Sequence, residues 1–290
     1  EKFLEVHGGS HFGEFSGAPG VALQRAFFDR FLSQEPAAPG SEVFAADWRV
    51  LLQVRHVDRF VTRKEQEWPL ARTSWTRAYL DLAGAALEEE PPAEECSVTY
   101  DAVGAGVTLR AGPATEETEI TGPLSARLHL SCSAEDADLF LVLRLFDPSG
   151  AEVRFRGAQD RAAPVAQGWL RLSQRAIDPE RSTPWRPWHR HDRADAVVPG
   201  EVYAVDVEIW PTSVVVPPGY RLALSVRGRD DQRDEDEGAS GVAVEVMNGS
   251  GRCTHDDATD RPADRLAGSV TLHSGPGRES YLLLPVVPPR

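Results

Sequence analysis

The residues best suited to chemistry stand near the amino terminus. In "LEVHGGSHFGEFSG" (Leu4–Gly17) an apolar run ends at two glycines and then presents Ser10 and His11 side by side. A histidine on a loop between a strand and a helix has access to a nucleophile's proton and can act as a general base. His7 competes for that role, but it sits at the strand end, where it can point into packing. Ser10 makes a poor nucleophile. "GGSHF" places Phe12 where a G-x-S-x-G elbow needs its last glycine, and no G-x-S-x-G occurs in the chain. Adjacent side chains on extended backbone also point apart.

A second concentration, "PWRPWHRHD", holds Trp185, Trp188, His189, His191 and Asp192. Together with "HDD" at His255–Asp257 it offers imidazoles and carboxylates, but the spacing lacks the tight, repeated pattern of zinc ligands. The segment reads as a proline-stiffened loop whose tryptophans cover a neighbouring surface, and no metal is expected. Trp210 in "EIWPTS" marks a strand exit and reads as a core or interdomain anchor ahead of a cleft aromatic. Arg72 in "EWPLART" reads as half of a structural ion pair, and Gly104–Gly106 as a turn rather than a dinucleotide fingerprint.

Elements must position these groups. "KFLEV" is a short strand, and "VALQRAFFDRFL" puts Leu23, Phe27 and Phe31 at spacings of four, along one helical face. Beyond the Pro/Gly breaker "SQEPAAPGSE", strand patterns dominate. "EVYAVDVEIW" alternates Tyr203, Val205, Val207 and Ile209 against Asp206 and Glu208. "YRLALSVRG" sets Tyr220, Leu222, Leu224 and Val226 against Arg221, Ser225 and Arg227. Period two predicts strands with one buried and one wet face, and "VAVEVM" (242–247) continues the pattern with Val242, Val244 and Val246. "DLFLVLRLF" is nearly unbroken and predicts a central strand buried on both faces, turned back by "DPSG". Many short strands with Pro/Gly turns predict an antiparallel sandwich from about residue 95 onward. The run "DDQRDEDE" (230–237) reads as a solvated loop.

A chain of 290 residues, 41% hydrophobic and 26% charged, can build a substantial core. A formal charge of −14 argues against a general nucleic-acid binder. Cys96, Cys132 and Cys253 are too few and too scattered for a disulfide framework. No apolar run reaches the about 18 residues needed to span a bilayer. The opening lacks the regions of a signal peptide. Low cysteine content favours the cytoplasm without excluding secretion.

"KFLEVHGGSHFGEF", "VLLQVRHVDRFVTRKEQEWPLARTSWTRAYLD", "AQGWLRLSQRAIDPERSTPWRPWHRHD" and "PGEVYAVDVEIWPTSVVVPPGYRLALSVRGRD" together resemble the carboxyl-terminal portion of the CocE/NonD serine hydrolases. The likeness extends through "HDDATDRPAD" and "SYLLLPV" to nearly the whole chain. It implies a mainly β protein, an antiparallel jelly-roll (galactose-binding-like) β-sandwich preceded by the last strand and helix of an α/β-hydrolase domain. Residues 1–45 would be that remnant, 46–94 a connecting segment and 95–290 the sandwich. His11 takes the position of the catalytic histidine. The serine and acid would lie upstream, so this piece alone should be inactive. Trp185, Trp188, His189 and Trp210 become candidates for a substrate or interdomain interface. The implied partners are an ester, amide or peptide substrate and the upstream hydrolase core, with homo-oligomerisation left open. The mechanism requires no cofactor. The alternative is a non-catalytic β-sandwich module that binds carbohydrate or a protein.

Overall fold

The computed structural model describes residues 2–9, 13–32, 48–157, 160, 162–231 and 254–289. Ser10, His11, Phe12, the expected 242–247 strand, Cys253 and all of "DDQRDEDE" beyond Asp231 lie outside these. The described fold is mainly β. In chain order it runs β1 (Leu4–Val6), α1 (Gly13–Ser16), α2 (Ala18–Leu32), β2 (Val50–Arg55), β3 (Phe60–Glu65), β4 (Ser74–Asp81), β5 (Ala86–Glu88) and β6 (Cys96–Asp101). Then come β7 (Val107–Ala111), β8 (Thr118–Cys132), β9 (Asp138–Phe146), β10 (Glu152–Val153), β11 (Ala166–Arg171), β12 (Tyr203–Val216), β13 (Arg221–Arg227), β14 (Ser269–Ser274) and β15 (Tyr281–Val287).

One continuous ladder links these strands and doubles over, so that two layers share a core. β8 bonds to β12, β14 and β15, while β9 bonds to β10, β11 and β13. Between the layers lie Leu124, Leu128 and Leu130 of β8, Leu141, Leu143 and Leu145 of β9, Val205 and Val207 of β12, and Leu224 of β13, all essentially sealed from water. β9 is buried along its full length, as its unbroken apolar run predicts. β4 and β5, within residues 46–94, are hydrogen-bonded members of the same sheet.

One expectation holds and one is corrected. Among the described strands from residue 95 onward every pairing is antiparallel, and the parallel pairs β1–β2, β2–β12 and β5–β7 each involve an earlier strand. β13, however, lacks a wet face over its central residues: Ala223 and Ser225 are buried. The Arg144 guanidinium donates to the Ser225 hydroxyl at 2.8 Å and meets Asp231 and Glu152 beyond it. Polar residues therefore produced the alternation without producing exposure, since paired charges roof the strand. The Gly104–Gly106 turn requires its glycine: at φ +72°, a Gly106 side chain would meet the Val226 carbonyl oxygen at 1.9 Å.

The neighbouring strands β12, β8 and β15 change register at one level. β12 slips between Ile209 and Thr212, and β15 slips between Leu283 and Val286, both opposite the Gly122–Leu124 segment of β8. Pro211, Pro285 and Pro123 stand at this level. None carries an amide hydrogen, so the ladder cannot close there. Beyond the break, Val215 and Val287 join Val50, Leu52, Val54 and Leu70 in a second apolar cluster that seats β2.

An ionic network ties β3 to the start of β8. Arg63 donates to both Glu119 oxygens at 2.6 Å and meets Glu65 at 2.6 Å, and Arg72 grips Glu65 at 2.5 and 2.8 Å. Arg72 thus has the ion pair its sequence context predicts. Desolvation alone would push the Glu119 carboxyl up, but hydrogen bonds from Arg63 and Thr121 and the nearby guanidinium charges outweigh it and hold the group below the usual carboxylate range. With the folded value below the unfolded one, the stability Glu119 confers is complete above the unfolded value and disappears as pH falls through the folded one. Glu119→Gln should therefore lower stability by about 1.5–3 kcal/mol at neutral pH. The difference from wild type should shrink on acidification, as read by urea denaturation across a pH series.

Candidate functional site

β1 supplies only three residues, paired in parallel as Leu4↔Val50, Glu5↔Leu51 and Val6↔Leu52. The chain then bends at Gly8–Gly9 into the segment that carries His11, which lies outside the described residues. The residues on either side are joined through one side chain. Gly8 N–H donates to Gln53 Oε1 at 3.4 Å, and Gln53 Nε2 donates to Glu14 Oε2 at 3.4 Å. Gly8 lies close to its neighbours: a Cβ there would lie 2.6 Å from Phe60 Cε1 and 3.2 Å from Arg55 Cδ, so a side chain would have to displace that ring. His7 Nδ1 is buried and makes no hydrogen bond among the described residues, consistent with a strand-end position turned into packing.

α2 follows, with Pro19 in its first turn, where a missing N–H costs nothing. It docks through Leu23 and Ala26 onto Trp48, Phe3 and Leu51. Phe27 and Phe31 do lie on one face, with ring centroids 4.7 Å apart, but that face is open. Phe27, Phe28, Phe31, Leu32 and Val21 are all exposed, as is Phe15 of α1.

The alternation of β2 turns Leu51, Gln53 and Arg55 to one side, less buried than Val50, Leu52 and Val54 on the other. Leu51 meets the α2 cluster, Gln53 meets Gly8 and Glu14, and Arg55 closes the row. The Arg55 side chain reaches across to the sandwich. Its Nε donates to the Ser213 carbonyl at 3.3 Å, and its Nη2 donates to the Val165 carbonyl at 2.8 Å and Thr212 Oγ1 at 2.5 Å. Phe155 stacks 4.6 Å from the guanidinium carbon. The sequence carried no signal for this contact, because its partners lie more than a hundred positions away.

The aromatic candidates form two separate groups. Trp185 stacks on Trp75, with centroids 4.5 Å apart and 10° between planes. Trp188 has the guanidinium carbons of Arg181 and Arg186 at 3.8 and 4.7 Å from its ring centre. His189 Nδ1 donates to the Gln174 carbonyl at 3.1 Å, which leaves Nε2 as a buried acceptor with no partner among the described residues. Desolvation lowers the His189 pKa, favouring the neutral ring. Trp210 stands elsewhere. It is 64% exposed, meets Trp169 edge-on at 5.2 Å, and is thrown outward where β12 loses register with β8. It is therefore not part of the core.

His255, at the head of "HDD", pairs with Asp230 rather than with the acids that follow it, Nδ1 to Oδ1 at 3.0 Å, and lies beside Phe140 and Trp169. Among the described residues no three His, Cys, Asp or Glu side chains converge as a metal site. Cys96 and Cys132 are free thiols, and burial pushes the Cys132 thiol up.

A family model, the X-Pro dipeptidyl-peptidase C-terminal non-catalytic domain, matches residues 44–283. The cocaine esterase of a Rhodococcus species is 26% identical, over 92% of this chain and 46% of its own length. A CocE/NonD family hydrolase from Staphylococcus aureus superposes with a TM-score of 0.83 at 24% identity, over 99% of this chain and 49% of its own. An α-amino acid ester hydrolase superposes with a TM-score of 0.58 at 17% identity, over 94% and 45%. The chain thus spans about half the length of the relatives it matches.

Trp210→Ala should change the stability of the chain by no more than about 0.5 kcal/mol, because an exposed ring leaves no cavity behind. Chemical denaturation of both forms measures it, and a larger loss would make Trp210 a structural anchor after all.

Proposed function

Because the chain belongs to the family of the X-Pro dipeptidyl-peptidase C-terminal non-catalytic domain, we propose that it is the carboxyl-terminal part of a CocE/NonD-type serine hydrolase. The whole enzyme cleaves ester or amide bonds, among which release of X-Pro dipeptides is one candidate. The observation that carries this reading is a half-built α/β unit. Among the described residues β1 has a hydrogen-bonded neighbour on one edge only, and α2 leaves Phe27, Phe28, Phe31 and Leu32 exposed. A three-residue strand and one helix cannot bury both their faces alone, and the sheet of a catalytic domain fits the open side. The sandwich packs against that domain.

In this reading His11 is the general base. It takes the proton from the serine hydroxyl as the acyl carbon is attacked, then delivers it to the departing alcohol or amine. The serine, the acid that orients the imidazole and the oxyanion donors belong to the catalytic part. Gln53 contributes by linking Gly8 to Glu14, which fixes the chain on both sides of the His11 segment. Trp185, Trp188, His189 and Trp210 are interface or substrate residues under the same proposal.

In the hydrolase containing this chain, His11→Ala should lower kcat on an activated ester by about 10⁴-fold with little change in KM. An undiminished rate removes His11 from the mechanism. A parent protein that hydrolyses no ester or amide defeats the proposal as a whole.

A further inference from the structure

Arg55 is set apart from the other deeply placed arginines. Arg144, Arg154, Arg227 and Arg261 expose at most 12% of their side chains, and each ends on a carboxylate. Arg55 ends on two backbone carbonyls and a hydroxyl, all neutral. Burial with no anion nearby draws its pKa down to about 10, although part of the residue still meets solvent. A guanidinium removed from water is normally compensated by an opposite charge, and here none of the described residues supplies it.

The hydrogen-bond pattern shows which side remains for one. Ser213, Thr212 and Val165 occupy Nε and Nη2, the edge turned towards the sandwich. Nη1 and its two hydrogens make no hydrogen bond among the described residues. Phe155 covers one face of the planar group, which fixes its orientation. The fork is therefore held rigidly by three acceptors and presents one free end, the arrangement that captures a carboxylate with least loss of side-chain freedom. The stem of the same side chain passes Gly8, its Cδ 3.2 Å from where a Cβ on Gly8 would stand, on the same side of β2 as Gln53.

We infer that Arg55 is a receptor for a carboxylate on the side of β2 that faces Gly8. This inference rests on the hydrolase reading for its location and names the chemistry the site selects: an ester or amide bearing a carboxylate near the scissile bond, or an acidic side chain of the catalytic part. One set of measurements separates these sources. In the hydrolase containing this chain, kcat/KM is measured for 4-nitrophenyl acetate and for the mono-4-nitrophenyl ester of glutaric acid, with wild type, Arg55→Met and Arg55→Lys. Melting temperatures of the same proteins and of this chain alone are recorded in parallel.

If the substrate provides the carboxylate, Arg55→Met lowers kcat/KM for the glutarate ester by about 10–100-fold through KM and leaves the acetate ester within about 3-fold. Arg55→Lys recovers part of that loss. If an acidic side chain provides it, the two esters fall together, and Arg55→Met lowers the melting temperature of the hydrolase by more than that of this chain. An unchanged ester ratio with equal melting shifts in the two proteins overturns the inference. Should the wild-type protein hydrolyse neither ester, the hydrolase reading fails on its own account, and the melting comparison still decides Arg55.

Discussion

A row of three prolines governs how the two parts of this molecule meet. Pro211, Pro123 and Pro285 stand at one level of three adjacent strands, and a strand without an amide hydrogen cannot keep its ladder there. On one side of the row, β8, β12 and β15 line the main core with leucines and valines. On the other, the same strands emerge in a shifted register. Val214 comes alongside Arg55 in a parallel pairing, and Val215 and Val287 form the apolar seat for β2. Trp210 is expelled to the surface, and Thr212 and Ser213 turn to the arginine. Without that break, β12 would continue in one register and present no edge to the α/β unit.

Charge is used in the same economical way. An excess of acids gives the chain its formal charge of −14, yet the interior polar contacts are organised by arginines. The Arg63–Glu65–Arg72–Glu119 group ties the β2–β3 hairpin to β8, and the Arg144–Glu152–Arg154–Asp231 group roofs β9 and β13. Each contains both signs in close contact, so burial of the charges is compensated within the group. Arg55 departs from this pattern, and it does so where β2 meets β12.

Several parts of this architecture are visible in linear order. The period-two patterns of β12 and β13 place Val205, Val207, Leu222 and Leu224 inside, and the unbroken run of β9 marks a strand buried on both faces. The fourfold spacing of α2 identifies a helical face, although not that it stays open. Reading fails where a residue's environment is built by distant chain. Ser225 looks like a solvent position until Arg144 and Asp231 close over it. Trp210 could be a core residue until the register shift turns it out. Arg55 carries no local signal at all, because its partners are 110 to 158 positions away.

The order of residues by itself determined the strand periodicity, the helix after the double glycine and the His11 motif, because these depend on neighbours a few positions apart. Folding decided the rest: which polar faces are roofed, which tryptophans remain exposed, and that a deeply placed arginine with no carboxylate partner among the described residues passes Gly8. Those outcomes depend on contacts between residues as much as 158 positions apart, as with Arg55 and Ser213. Local pattern cannot encode them, since the desolvation and pairing that set a charge's fate belong to the assembled surroundings rather than to the segment that carries it.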